Sequence, residues 1–418
     1  VSASPGRGRD ALTRLIFLQF LVSMADWMLI VLLQMLMFEL TQSAFQVMLL
    51  VLAELAPMLL LGPWAGAVTD RSGLRRILGG SCAARLALIL LLALPATRSS
   101  AAPLLAVAAL TAVCNRFFSP AASALLPCLV CSGRLPSANA YAIGARMAGM
   151  ALGAMAGGLL AGVAGSGAAI LAMGLLMLAS GGLSLSLPER RDTPVAQVPA
   201  RTWTAFVRDI AVPGRSGWLP IAASMLVMMA LGSFEIQAII YVKEVLHRPS
   251  ADVGLLFGAY GAGVVAGLIL SSWHRIAGRG DSVIRLGLLL MCAAIGGVSQ
   301  VQGLGSAALL VSMAGLAEGM VMSLGLLRLY QTVDPSRLGR ATALLDSASG
   351  AAFLLAVVVT GLLADTVAAD RLIGGLALVL AILSVLLITS GLQGGDVGRA
   401  KENVLATKNH ENQNDVID

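Results

Sequence analysis

Charge is scarce in this sequence. Only 12% of its 418 residues are Asp, Glu, Lys or Arg, while 58% are hydrophobic and the mean hydropathy is +0.87. Soluble domains carry about 25% charged residues, so this chain has too little charge to give a globule a solvated surface. Histidine is nearly missing, and His247, His274 and His410 all fall outside the centres of apolar runs, which leaves no histidine for a buried proton relay. Cysteine is sparse too: Cys82, Cys114, Cys128, Cys131 and Cys292 lie in or beside apolar runs, so no disulfide framework is expected. Cys128 and Cys131 form a C-x-x-C, yet no second pair or neighbouring His completes a metal set, and a helix end is the expected role. There is no G-x-x-x-x-G-K-[ST] loop to cradle phosphates, and no nucleophile, base and oxyanion set can be assembled. Neither an enzyme nor any cofactor or metal is expected.

What the sequence does have is apolar runs of about 20 residues, the length that crosses a hydrocarbon core as a helix. They recur from Leu12 to Leu392, and weak alternation argues against short barrel strands. The predicted spans are 12–38, 44–69, 74–95, 103–127, 138–163, 166–187, 217–242, 251–273, 283–302, 306–329, 341–364 and 371–391. A polar stretch with Arg190, Arg191, Arg201, Arg208 and Arg215 interrupts them once, giving a first six-helix bundle over 1–187, a linker over 188–215 and a second bundle over 216–392. Residues 393–418 are polar and too poor in apolar side chains to fold, so a disordered tail is expected. The first run lacks a cleavage site and reads as a retained helix.

Loop charge orients this arrangement, because Lys and Arg gather at the cytoplasmic ends of spans. Of 28 basic residues, the loops on one side hold only Arg98, Lys243, Arg248 and Arg371, and Arg85, Arg116 and Arg146 fall within spans. All the rest share the side of both termini and the linker. Both termini are therefore expected in the cytoplasm of a bacterium, with the chain a multi-pass monomer in its inner membrane. The net charge of +6 is spread over short loops rather than one patch, so no nucleic-acid partner is expected. The expected partners are the lipid bilayer, protons and a small amphipathic substrate.

A charge at the bilayer centre costs at least about 2.5–3.5 kcal/mol, so each one there needs a reason. Such charges are Asp26, Glu54, Arg85, Arg116, Arg146, Glu235, Glu318 and Asp346. Asp26, Glu54 and Glu235 lie deepest, and a desolvated carboxylate is suited to carrying a proton; the alternative for each is a structural pair with a buried arginine. Arg85 and Arg146 are close enough to the cytoplasmic ends to snorkel. The residues expected at a substrate cavity are Asp26, Trp27, Arg116, Phe234, Glu235, Gln237 and Glu318. Met24, Met28, Met35, Met225, Met228 and Met229 offer an adaptable wall or plain core packing.

Gly66, Asp70, Arg71, Gly73, Arg75 and Arg76 fall in the spacing G-x-x-x-D-R-x-G-x-R-R, which resembles the signature of the major facilitator superfamily. The resemblance implies twelve helices in two pseudo-symmetric six-helix bundles. It also implies that Asp70 faces the positive end of the eleventh helix, near Arg340 and Ala341, as an inner gate. Gly73 is expected to permit a tight turn there, and the arginines to hold the loop at the membrane surface. Gly149, Gly153, Gly157 and Gly158 resemble a glycine-rich exporter signature, with Ala154 where that pattern has Pro. Asp26 and Trp27, then Thr41, Gln42 and Ser43, then Pro120 and Pro127, are similar to the drug and siderophore exporters of the enterobactin and macrolide efflux type. Proton-coupled export of a siderophore or macrolide by alternating access is what that resemblance implies. Three other readings stay open: a lipid flippase, a metabolite importer or uniporter, and a non-transporting receptor.

Overall fold

The computed structural model describes residues 5–71, 73–130, 135–189, 218–273, 280–333 and 338–389, without the side chains of 5–9, 58–60, 62–71, 136, 338–340 and 343. The predicted linker core and polar tail lie outside them. The described residues form twelve long helices and no strand. The first six are α1 Pro5–Thr41, α2 Ala44–Arg71, α3 Leu74–Leu91, α4 Ala101–Leu129, α5 Leu135–Val163 and α6 Ser166–Leu185. The second six are α7 Trp218–Ile240, α8 Ala251–Ser271, α9 Gly280–Val298, α10 Leu304–Thr332, α11 Leu338–Leu363 and α12 Ala369–Thr389. A π-helical turn, Tyr241–Val245, extends α7, and a single turn, Pro95–Arg98, follows α3.

Helices are what lipid dictates for such sequences, because only they satisfy every backbone N–H and C=O within one segment. Ten of the twelve are long and apolar enough to cross a membrane. α3 is the marked exception, carrying Arg75, Arg76 and Arg85 within 18 residues. The observed helices follow the predicted spans closely. They are punctuated where the sequence offers stops: Gln42 takes a left-handed φ of 50° after α1, its N–H reaching the Phe38 carbonyl at 2.8 Å. His247 repeats that φ of 50° after α7.

Packing repeats between the halves. α1 packs on α5 as α7 packs on α11, α2 on α4 as α8 on α10, and α3 on α4 as α9 on α10. Gly149, Gly153 and Gly157 bring the α5 backbone onto α1 at Phe20, Met24 and Met28; a Cβ at Gly149 would sit 2.6 Å from the Phe20 carbonyl oxygen. In the second half Gly315 and Gly319 do the same against Tyr260 and Val264.

The two halves meet along two seams, α5 with α8 and α2 with α11. In the first, Gly158 lies against Gly254 and Gly162 against Ala251. In the second, Met48 packs on Gly361, and Asp365 caps α2: its carboxylate accepts from Ser43 Oγ at 2.7 Å, Ala44 N at 2.6 Å and Phe45 N at 3.3 Å. Glu39, at the end of α1, accepts from Ser250 Oγ and lies 4.0 Å from Lys243 Nζ. All these contacts fall at the end of the bundles remote from where α1 begins and α12 stops. We call it the distal end, and its opposite the terminal end.

Candidate functional site

A cavity of about 440 Å³ lies in the first half, among α1, α2, α4 and α5. Asp26 and Trp27 reach it from α1, Glu54 from α2, Asn115, Arg116 and Ser119 from α4, and Arg146, Met147 and Met150 from α5. Three of these four helices also pack against the second half, so the cavity faces the seam between the bundles. Pro120 sits inside α4 next to Ser119, a position where the helix lacks one N–H and opens its ladder.

Arg85 is the most deeply buried charge described, at 1% exposure. Its Nη1 donates to both carboxylate oxygens of Asp26 at 3.2 Å, and its guanidinium lies 5.2 Å from the Phe118 ring centre. The expectation that Arg85 snorkels to an interface is thereby overturned: α3 packs on α4 and α6 around it, and Asp26 rather than water meets its charge. Glu54 has no such partner. It lines the same cavity, hydrogen-bonds to nothing among the described residues, and lies within electrostatic reach of both Asp26 and Glu235. Of the three predicted coupling carboxylates, Asp26 and Glu54 thus line one cavity, while Glu235 on α7 acts on Glu54 from the second half. Arg116 and Arg146 line the cavity with no ion partner among the described residues.

The predicted substrate residues divide between two places. Asp26, Trp27 and Arg116 line the large cavity, whereas Phe234, Gln237 and Glu318 line a separate pocket of about 60 Å³ within the second half. Glu235, 8% exposed, lines neither. Asp346 is exposed on α11 and also stands apart. The predicted methionine wall is largely core: Met28 and Met35 are buried, and the cavity's methionines are Met147 and Met150. Their sequence signal was a spacing of three residues on the face of α5 that also carries Arg146.

The signature loop differs from expectation at Gly73. Gly73 has φ −62° and ψ 121°, which any residue adopts, so no turn requires glycine there; a Cβ would instead stand 3.2 Å from Glu189 Oε1. Arg75 and the largely exposed Arg76 both reach Glu189, at 3.3 and 3.1 Å, tying the start of α3 to the chain leaving α6. The side chains of Gly66, Asp70, Arg71 and Arg340, and with them the predicted inner gate, lie outside the described residues. So does Cys131, while the Cys128 thiol bonds to the Ala124 carbonyl within its own helix. No cluster of metal-ligating side chains occurs among the described residues.

No curated protein sequence matches the chain. Among solved structures it resembles a bacterial homolog to the human lysosomal transporter Spinster, in an inward-facing and unoccupied conformation. That likeness has TM-score 0.66 at 14% identity, over 93% of this chain and 96% of that one. It also resembles a POT family transporter in complex with a thioalcohol-conjugated peptide, with TM-score 0.72 at 12% identity, over 92% and 96%. At such identities the likeness speaks to the fold alone. A family model, the Major Facilitator Superfamily, matches residues 15–296, most of the chain and nearly all of the half that holds the large cavity, so this protein belongs to the Major Facilitator Superfamily.

Proposed function

We propose that the protein is a secondary active transporter that exports a small amphipathic molecule, of siderophore or macrolide type, in exchange for protons. The observation that carries this reading is the large cavity itself. It presents a carboxylate and two guanidiniums unpaired among the described residues, beside a seam closed from the distal end to the middle of α5 and α8, where Gly261 meets Ala151. A volume of about 440 Å³ falls within the range of small-molecule pockets, roughly 300–1,000 Å³. With both termini in the cytoplasm, as loop charge favours, the distal end is the outer one, and this is the state that loads substrate from inside.

Within that reading the carboxylates have different tasks. Asp26 is committed to Arg85, and protonating it would strand a buried guanidinium, so it organises the cavity. Glu54 can gain or lose a proton without breaking any pair, and Glu235 faces it from the other bundle. Glu54 is therefore the proton carrier in this scheme, with Arg116 and Arg146 receiving anionic groups of the cargo.

The test is flux from proteoliposomes under an imposed proton gradient, using a macrolide and a catecholate siderophore as cargo. Gradient-driven movement of either one in the wild-type protein, lost in Glu54→Gln while substrate exchange without a gradient survives, is the expected result. Flux indifferent to the gradient would remove the coupling, and no flux of either cargo would remove the substrate class.

A further inference from the structure

We infer that the second half holds a binding subsite for an organic ammonium group, in the pocket where Glu318 meets the aromatic wall of Phe234 and Tyr260. The inference rests on the transport reading and names the chemistry of one end of the cargo.

Glu318, on α10, is 8% exposed, lines the pocket, and has no hydrogen bond or ion pair among the described residues. Gln237 adds a second acceptor. Its Nε2 donates to Ser233 Oγ, itself 2.7 Å from Thr360 Oγ1, which leaves Gln237 Oε1 buried without a donor. Tyr241, which also lines the pocket, commits its hydroxyl elsewhere, donating to the Val298 and Val301 carbonyls at 3.0 and 2.7 Å. No lysine or arginine lines the pocket. A buried carboxylate and a buried amide oxygen left without donors are costly, and a ligand that brings N–H groups or a positive charge relieves both.

The remaining walls select among such ligands. The Phe234 ring stacks 5.1 Å from Tyr260 and stands 5.0 Å from Phe257, and Phe257 stands 6.4 Å from Trp27. Aromatic faces attract ammonium groups within about 6 Å, most strongly when water is excluded. A volume of about 60 Å³ admits a headgroup but not a body. The aromatic row leads from this pocket toward the large cavity, because it ends at Trp27, which lines that cavity with Arg116 and Arg146. Cargo would thus lie across the two halves, its amine at Glu318, its apolar part along the rings and any acidic group at the arginines.

The experiment is equilibrium binding to the purified full-length protein in lipid nanodiscs, followed by intrinsic tryptophan fluorescence and confirmed by calorimetry. The probes are benzyltrimethylammonium, the uncharged N-benzylacetamide and the anionic benzylsuccinate. Wild-type protein should bind the ammonium at least about tenfold more tightly than the amide, Glu318→Gln should erase that preference, and Asp346→Asn should leave it unchanged. Phe234→Leu keeps every charge and serves should Glu318→Gln fail to stay monodisperse; about a fivefold loss of ammonium affinity is expected from the missing ring. Equal binding of ammonium and amide would overturn the subsite, as would a preference that survives both substitutions. Glu318→Gln that loses gradient-driven flux yet binds the ammonium normally would also overturn it, by making Glu318 a proton site. Tight benzylsuccinate binding with no ammonium preference would reject the amine and leave the transport reading standing. Normal ammonium binding with no flux would do the reverse.

Discussion

The two halves share a helix plan and differ in how they treat charge. In the first, a buried guanidinium is matched to a carboxylate on a neighbouring helix, and the space beside them is large and polar. In the second, Glu235 and Glu318 have no cation among the described residues, and the pocket is small and walled by rings. Where α3 sends Arg85 toward Asp26, its counterpart α9 contributes Met291 to the second pocket. Backbone symmetry follows from repeated helix pairings, which small residues fix; the chemistry follows from a handful of side chains, which the repeat leaves free. An asymmetric ligand needs such an asymmetric pair of walls.

The comparison breaks most visibly on stability. Asp26→Ala leaves Arg85 buried and unpaired, which costs about 3 kcal/mol, the low end for a broken buried pair because Asp26 faces the cavity. Glu318→Gln removes a lone acid instead, and should leave stability within about 0.5 kcal/mol or raise it. Unfolding of the two variants in the same detergent measures both. Equal losses would mean that the halves do not differ as described.

A second contrast separates contacts within a half from contacts between halves. Gly153→Val drives a side chain into the Met24 carbonyl inside the first bundle and should cost about 1–3 kcal/mol of stability. Gly254→Val meets the Gly158 Cα, 2.6 Å from its new Cβ, but those helices belong to different bundles, which part in the proposed transport cycle. It should shift the molecule toward a state open at the distal end, raising labelling of a cysteine placed there by an impermeant maleimide, while the unfolding midpoint stays near wild type. A large stability loss in Gly254→Val would mean that the seam does not open.

How much of this was legible depends on the kind of information. The helices could be read because lipid imposes a length and a composition, and α5, predicted over 138–163 and found over Leu135–Val163, is typical. Deep charges could be singled out for the same reason. Partnerships could not: Asp26 and Arg85 are 59 residues apart, and no local pattern says that α3 turns its arginine toward α1. Nor does periodicity reveal that Phe234 and Glu318 share a pocket separate from Asp26, since that depends on how six helices tilt. One missed signal was available. Glu39 recurs 205 positions later as Glu244, with Gln42 and His247, the residues that take a left-handed φ, three positions after each, and the pair marks an internal repeat.

The smallest expected effect concerns Asp365, whose position just past the apolar run of α11 looks ordinary in sequence. α2 begins at Ala44 with no acidic residue in its first turn, so its free N–H groups have no cap of their own. Asp365 supplies one from the other half, through the Ala44 and Phe45 amides and the Ser43 hydroxyl. Unlike an ordinary cap, this one exists only while the bundles touch, so its worth enters the balance between states rather than the stability of α2. Losing an N-cap costs about 1 kcal/mol, equivalent to roughly a fivefold change in a population ratio. Asp365→Ala should therefore raise the distal-open share about fivefold relative to the closed one, and Asp365→Asn, which keeps one acceptor, should do less. Spin labels on Val163→Cys and Arg371→Cys, in a background without the native cysteines, report the separation of the halves at that end. An unchanged distance distribution in Asp365→Ala would show that the cap adds nothing to the balance between states, and the seam would then be held by Met48 on Gly361, by Glu39 on Ser250 and by the glycine contacts of α5 and α8.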